Sequence, residues 1–469
     1  MGGGGKKMDR IDQLLESYQD EMVQTLRELV RIPSVDGEPK EGMPFGENCA
    51  KVLDYALKKA ESFGFETLND ENYAGHVAFG GGSGRTLGIL AHLDVVPEGE
   101  DWTVPPYEAI VKDGYVYGRG STDNKCSCVS CLYALRAIKE AGLKLSDRVL
   151  LIMGCNEESG SKDMEHYMSH IGMPNYGFSP DSGFPVCYAE KGIHRIAMTA
   201  AYEGESPIVS IEAGNAVNIV PNRCHAVLRG TEEDAQKLRA AAEKLGASCK
   251  TDVKDGKIEF EIEGKAAHGA FPSGGRNAVS LMMEALSVLD LGGAQRAVQM
   301  LRDTLGEKDW DGKKLNIALE DEPSGPLTVN LGILRADDKG MRVDLDIRQP
   351  VTASFDEVLS RVRGVIEAYG AKAESTHISE PLYVPKDSEL VTTLMSVYKE
   401  ITGRDDQPFS MGGGTYARTM KNAVAFGPSL PGSKSCGAHG PDERLFIEEM
   451  FTASRIYART ILALAGEKA

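Results

Sequence analysis

Arg148-Val149-Leu150-Leu151-Ile152-Met153-Gly154 is an unbroken apolar run between an arginine and a glycine. A strand with one wet face alternates apolar and polar residues. A strand without alternation is covered on both faces, as in the middle of a parallel sheet. The flanking sequence supplies the rest of such a sheet. Ile11, Leu14, Leu15, Tyr18, Met22, Leu26 and Leu29 recur at helical spacing, and Ile32-Pro33 ends that helix, predicted over residues 11–30. Further helices are predicted at 47–63 and 127–141. Short apolar runs at 76–79 and 86–92 flank the glycine-rich turn 80–84. Strands alternating with helices give an α/β fold with helices on both faces of the sheet.

After Phe184-Pro185 the texture changes. Strand-like runs at 194–199, 224–229 and 258–262 surround a helical stretch at 277–289, and a second strand-rich block at 327–334 and 342–348 precedes a helix at 355–369. This reads as an inserted α+β domain, consistent with duplication of one unit. Near Glu380-Pro381-Leu382 the first texture returns, with helices at 389–402 and 447–464. The expected organisation is therefore a discontinuous domain of residues 8–184 and 381–469 carrying an insert of residues 185–380.

The 469 residues are 41% apolar and carry a formal charge of −18. That charge repels nucleic acid and anionic membranes, so neither is expected as a partner. No stretch approaches the ~20 apolar residues that span a bilayer. Residues 1–7 are a glycine run ending in two lysines, expected to be a disordered tail and not a signal peptide. Cys126, Cys128 and Cys131 fall in one helix. With no second paired cluster elsewhere they read as reduced buried thiols in preference to metal ligands. Disulfides are not required, and the expected compartment is the cytoplasm.

Ligands of open α/β sheets bind at the carboxyl ends of strands. His92-Leu93-Asp94 closes one predicted strand, and alternation puts His92 and Asp94 on one side. A glycine-rich turn, Gly118-Arg119-Gly120-Ser121-Thr122-Asp123, precedes a helix. Asn156-Glu157-Glu158-Ser159-Gly160 follows the buried strand. Ser179-Pro180-Asp181-Ser182-Gly183 and Cys436-Gly437-Ala438-His439-Gly440-Pro441-Asp442-Glu443 complete the set. Singly, each has a plain reading as a cap or a surface loop. Together they offer two histidines and several carboxylates, the N/O chemistry of zinc or manganese.

These five ordered motifs resemble those of the metallopeptidases that include aminoacylases, carnosinases, carboxypeptidases and bacterial dipeptidases. The long insert and Phe409-Ser410-Met411-Gly412-Gly413-Gly414-Thr415-Tyr416-Ala417-Arg418 look like the PepV-type dipeptidase branch. The resemblance implies a zinc-exopeptidase-like catalytic domain with a lid, and two divalent ions, zinc first, with manganese or cobalt as alternatives. His92 and Asp181 would hold one ion, Glu158 and His439 the other, and Asp123 would bridge them. Asp94 would orient His92, and Glu157 would act as general base and then acid. In the insert, His268 of Lys265-Ala266-Ala267-His268-Gly269-Ala270 would stabilise the oxyanion. Asn218, Arg348, Gly412, Gly413 and Gly414 would bind substrate, with Arg348 gripping its C-terminal carboxylate. The plain alternative for Arg348 is a salt bridge to Asp344 or Asp346.

The implied activity is hydrolysis of dipeptides with a free C-terminal carboxylate. An N-acyl amino acid deacylase and an inactive metal-binding protein are the alternatives, and Glu157 argues against the last. The insert is long enough to cover the surface that smaller relatives bury by dimerising, so a monomer is expected. Two positions depart from the family pattern of Asp-Asp-Lys-Gly. Asn124 follows the bridging Asp123, and Cys126 replaces the glycine.

Overall fold

The computed structural model describes residues 2–467, with side chains from Arg10 onward. It divides into two compact units. One comprises Met1–Tyr188, Leu382–Phe409 and Gly414–Ala469, and the other Ala189–Pro381 with Ser410–Gly413.

The first unit is built on the sheet read from residues 148–154. Strand Arg148–Gly154 is buried at every position after Arg148. It pairs in parallel with Thr86–His92 on one side and antiparallel with Ala74–Gly80 on the other. Thr86–His92 pairs in parallel with Tyr176–Ser179, which pairs in parallel with Ala423–Ala425. Three parallel neighbours therefore end together, near His92, Gly154 and Ser179.

Helix α1 (Gly2–Ser17) and helix α2 (Gln19–Val30) replace the single helix expected at 11–30. The break is one residue, Tyr18, whose hydroxyl is drawn to Glu140 at 2.6 Å. Helix α1 also runs back through the glycines expected to be a disordered tail, while the described side chains that anchor it begin at Ile11. Helices α3 (Glu47–Ser62), α4 (Lys125–Glu140) and α5 (Lys162–His170) follow. The short α5 was not expected from the sequence, since a nine-residue helix with few apolar positions leaves little periodic signal.

The second unit holds an eight-stranded antiparallel sheet. Its order is Cys249–Lys254, Lys257–Glu263, Arg223–Arg229, Ile208–Ala213, Thr328–Ala336, Gly340–Gln349, Gly192–Ala201, Lys372–Ser379. Buried positions alternate along Arg223–Arg229 and Lys257–Glu263, as expected where helices cover one face. Helices α6 (Glu232–Lys244), α7 (Ala278–Leu286), α8 (Gln295–Thr304) and α9 (Phe355–Ile366) belong to this unit. Helix α6 was missed because only Ala235, Leu238 and Ala242 are buried. Its signal was the capping box of Thr231 and Asp234. Helices α10 (Glu389–Thr402) and α11 (Ile447–Ala465) return to the first unit.

The expected assignment of all of 381–469 to the first domain is corrected at Ser410–Gly413, which joins the second unit. The Met411 carbonyl accepts from Lys191 N–H at 3.0 Å, and the Gly412 carbonyl accepts from Arg348 Nη1 at 2.7 Å.

Candidate metal centre

His92, Asp123, Glu157, Glu158, Asp181 and His439 all lie in the first unit, in loops at or after strand ends. His92 is the last residue of its strand and wholly buried. Its Nδ1 faces the Asp94 backbone carbonyl at 3.0 Å and the Asp94 carboxylate at 3.4 Å, which leaves Nε2 turned to the site. Nε2 lies 3.2 Å from Asp123 Oδ1 and 3.5 Å from Asp181 Oδ1. On the other side, His439 Nε2 lies 3.0 Å from Asp123 Oδ2 and 3.1 Å from Glu158 Oε1. The two oxygens of Asp123 thus face different histidines, and each histidine also faces a second carboxylate. Among the described residues, His92, Asp123 and Asp181 form one group that could hold an ion, and Asp123, Glu158 and His439 another.

The electrostatics fit cations. Burial pushes Asp181 up to about 7 and raises Glu158 above the usual carboxylate range. Burial, with the Asp181 and Glu158 charges, pushes Glu157 well above it. Burial opposes the charge on His92, yet Asp181, Asp123 and Asp94 hold its imidazole well above its ordinary value. Hydrogen bonds to Asp123 and Glu158 push His439 up to about 11. These shifts describe buried carboxylates crowded around two imidazoles. Two divalent ions in the same places would offset the carboxylate charge without protonating the ligands.

A second layer fixes the ligand loops. Glu443, fully buried, accepts from Arg119 Nη1 at 2.6 Å and from the N–H groups of Gly120, Thr122 and Asp123 at 2.9, 2.8 and 3.1 Å. Asp163 in the first turn of α5 accepts from the N–H groups of Cys155 and Asn156 at 2.6 and 2.8 Å, and from the Tyr416 hydroxyl. That brace sits directly before Glu157. Gly154 must be a glycine, because a Cβ there would collide with both Tyr416 and Asp163. Asp94 Oδ2 accepts from Glu158 N–H at 3.0 Å. Sequence reasoning quoted Glu443 and Tyr416 within motifs but gave them no role, and it missed Asp163. For Asp163 the available signal was a carboxylate in the first turn of a short helix.

The two departures find places. The Asp123–Asn124 peptide is cis. Asn124 Nδ2 donates to Asp181 Oδ1 at 2.9 Å, to the Pro180 carbonyl at 2.7 Å and to Ser127 Oγ at 3.1 Å. The amide therefore positions the Asp181 carboxylate, where an aspartate would set a second carboxylate against it. Cys126 is buried with Sγ 3.2 Å from the Thr122 carbonyl, and burial raises the Cys126, Cys128 and Cys131 thiols, as reduced core residues.

In the second unit, His268 is exposed and its Nδ1 accepts from Ala270 N–H at 3.1 Å. Gly269 N–H donates to the Asn218 carbonyl at 2.6 Å. Arg348 is buried, with Nε on Asp346 at 2.9 Å and Nη1 on the Gly412 carbonyl. The salt bridge weighed as the alternative for Arg348 is thus present with Asp346, while Asp344 pairs with Arg342. Asn218, His268, Gly412 and Arg348 share this unit, and Gly413 does too. Gly414 falls in the first unit.

Comparison with known proteins agrees with this geometry. "Putative dipeptidase YtjP" of Bacillus subtilis (strain 168) is 35% identical over 458 residues, 95% of this chain and 98% of that protein. The solved structure of the di-peptidase Dug1p from Saccharomyces cerevisiae superposes with a TM-score of 0.60 at 14% identity, covering 97% of this chain and 98% of that one. Human carnosine dipeptidase 1 does so with a TM-score of 0.59 at 15% identity, over 97% and 98%. At those identities the two structures speak for the fold alone. Residues 88–463 match the model of peptidase family M20/M25/M40, and with the ligand motifs falling inside that span the chain belongs to this family of metallopeptidases.

Proposed function

We propose that the protein is a dipeptidase that hydrolyses dipeptides with a free C-terminal carboxylate. The observation that carries the reading is Asp123 facing His92 with one oxygen and His439 with the other. His92 and Asp181 would hold one divalent ion, Glu158 and His439 a second, with Asp123 between them. Zinc suits this donor set, as do manganese and cobalt. When bound, such ions lower the pKa of water and polarise the scissile carbonyl.

Glu157 is the carboxylate of the group left without a ligand role. It takes one proton from the attacking water and returns it to the departing amine, so that water adds across the C–N bond and the base is regenerated. Asp94 holds the His92 ring through Nδ1. The first unit serves as the catalytic domain and the second as a lid. From the lid, His268 stabilises the oxyanion, Arg348 and Asn218 bind the substrate carboxylate end, and Gly412, Gly413 and Gly414 admit its backbone. The chain works as a cytoplasmic monomer, complete in itself.

An assay of unblocked dipeptides beside N-acetylated amino acids, with added zinc, manganese or cobalt, tests the reading. Metal-dependent cleavage of the dipeptides is expected. Preference for the acetylated substrates would replace it with a deacylase, and inactivity on both would leave a metal-binding protein.

A further inference from the structure

A second group of metal-ligating side chains lies in the first unit and shares no residue with the centre described above. Strand Glu66–Asp70 ends in a tight turn, with Glu71 and Asn72 at φ of 53° and 60°. His166 and His170 sit four residues apart in α5, so both rings project from one face of the helix. Their ring centroids are 3.9 Å apart. Asp70 Oδ1 lies 3.4 Å from His170 Nδ1, and Asp70 Oδ2 lies 3.6 Å from His166 Nε2. Glu71 Oε2 is 3.5 Å from the same His166 nitrogen. Tyr73 stacks flat on the His166 imidazole at 3.8 Å and 7°, which fixes the ring plane.

Two further facts separate this group from an ordinary surface ion pair. Asp70 is only 8% exposed, and its Oδ2 has no hydrogen-bond partner. His166 Nε2, the atom facing it, has none either. A buried carboxylate oxygen and a buried ring nitrogen left unsatisfied at 3.6 Å are costly. Direct pairing would have closed the gap to about 2.8 Å. The observed separations of 3.4 to 3.6 Å, two of them from different oxygens of Asp70, instead fall near the ligand–ligand spacing around a zinc-sized ion, and one ligand atom from each of Asp70, His166 and His170 lies within 4.8 Å of the others. Bonds of about 2.0–2.1 Å to N and about 2.0–2.2 Å to O give edges of about 3.3–3.5 Å.

We propose that Asp70, His166 and His170 form an additional site for a divalent transition metal of the zinc type, with Glu71 or water in the fourth position. Two imidazoles and a carboxylate favour such an ion over calcium or magnesium. The ion fastens the end of α5 to the Asp70 turn. Helix α5 carries Asp163, which braces the backbone before Glu157, in its first turn, and the proposed ion lies toward the other end of the helix and takes no part in the chemistry.

The test is zinc content. The full chain and its His170→Ala and Asp70→Asn variants are dialysed against the same low-micromolar zinc, and bound metal is counted by mass spectrometry. His170 is half exposed, so its removal leaves the fold intact. Each variant is expected to bind one ion fewer than wild type while cleaving dipeptides at the wild-type rate. Crystals soaked in zinc should show an anomalous peak between His166, His170 and Asp70. Equal zinc content in wild type and both variants, or no peak at this position, overturns the proposal. The readout is a difference of one ion, so it stands or falls separately from the count at the main centre.

Discussion

Glu443 accepts a hydrogen bond of 3.1 Å from the backbone N–H of Asp123, so a carboxylate near the end of the chain fixes the residue that faces both histidines. The same carboxylate pairs with Arg119, which is 1% exposed. Removing one partner of a buried pair leaves the other charge uncompensated, at a cost of about 3–5 kcal/mol. Glu443→Ala is therefore expected to lose stability of that order and to lower metal content, because the Asp123 turn loses its anchor. Glu443→Gln should fall between the two. Urea unfolding with metal analysis checks both, and unchanged metal content in Glu443→Ala would detach this residue from the centre.

Glu157→Gln should retain metal and lose turnover. The amide keeps the size of the side chain and removes its capacity to take a proton. General acid–base groups contribute about 10²–10⁴-fold, so kcat is expected to fall within that range with KM little changed. Loss of metal in Glu157→Gln, with metal retained in Glu158→Gln, would exchange the roles of the two residues.

The central strands were legible because burial on both faces writes itself as unbroken apolar runs. Thr86–His92 and Arg148–Gly154 have the bounds their sequence suggested. The candidate ligands were legible because His92 closes a strand and the others sit in short glycine- or proline-marked loops. What stayed hidden acts through atoms without periodicity. Glu443 accepts from backbone N–H groups as far as 323 residues earlier, and no pattern in the sequence marks such a pairing, while Asp163 offered only a carboxylate in the first turn of a short helix. For Arg348 the sequence left a substrate contact and a salt bridge to Asp344 or Asp346 both open, and its Nε is engaged by Asp346 two residues earlier on the same strand.

A chelator should abolish activity, and zinc, manganese or cobalt should restore it. His92 and His439 must lose their protons to bind an ion, so acid should release metal for the same reason. Metal analysis and activity measured together across the acid range should fall in step. Full activity in a metal-free preparation would end the mechanism.

Dipeptides with an amidated C-terminus should be cleaved far more slowly than free ones, chiefly through KM. Arg348 and Asn218 motivate the expectation, and the wild-type protein suffices to test it, so any instability of an Arg348 variant is beside the point. Equal rates on free and amidated dipeptides would remove Arg348 from substrate binding and leave it the structural partner of Asp346 and Gly412.

Lys125 gives a stability that depends on alkaline pH. It is fully buried in the first turn of α4, and its Nζ donates to the carbonyls of Leu29 at 3.0 Å and Ile32 at 2.8 Å, closing the end of α2. Burial lowers its pKa to about 8 from an ordinary 10.5, against the pull of Glu443. Between those two values the unfolded chain holds the proton and the folded chain does not. Stability contributed by this group therefore rises with pH across that window, and below about pH 8 the folded state bears the whole burden of a buried cation. Lys125→Met removes the titration and both hydrogen bonds. Relative to that variant, wild type should gain stability between about pH 7.5 and pH 10, read as a shift in the urea midpoint. A difference that stays flat over the window would mean that Lys125 keeps its proton in the folded chain, held by the two carbonyls and Glu443 more firmly than burial expels it.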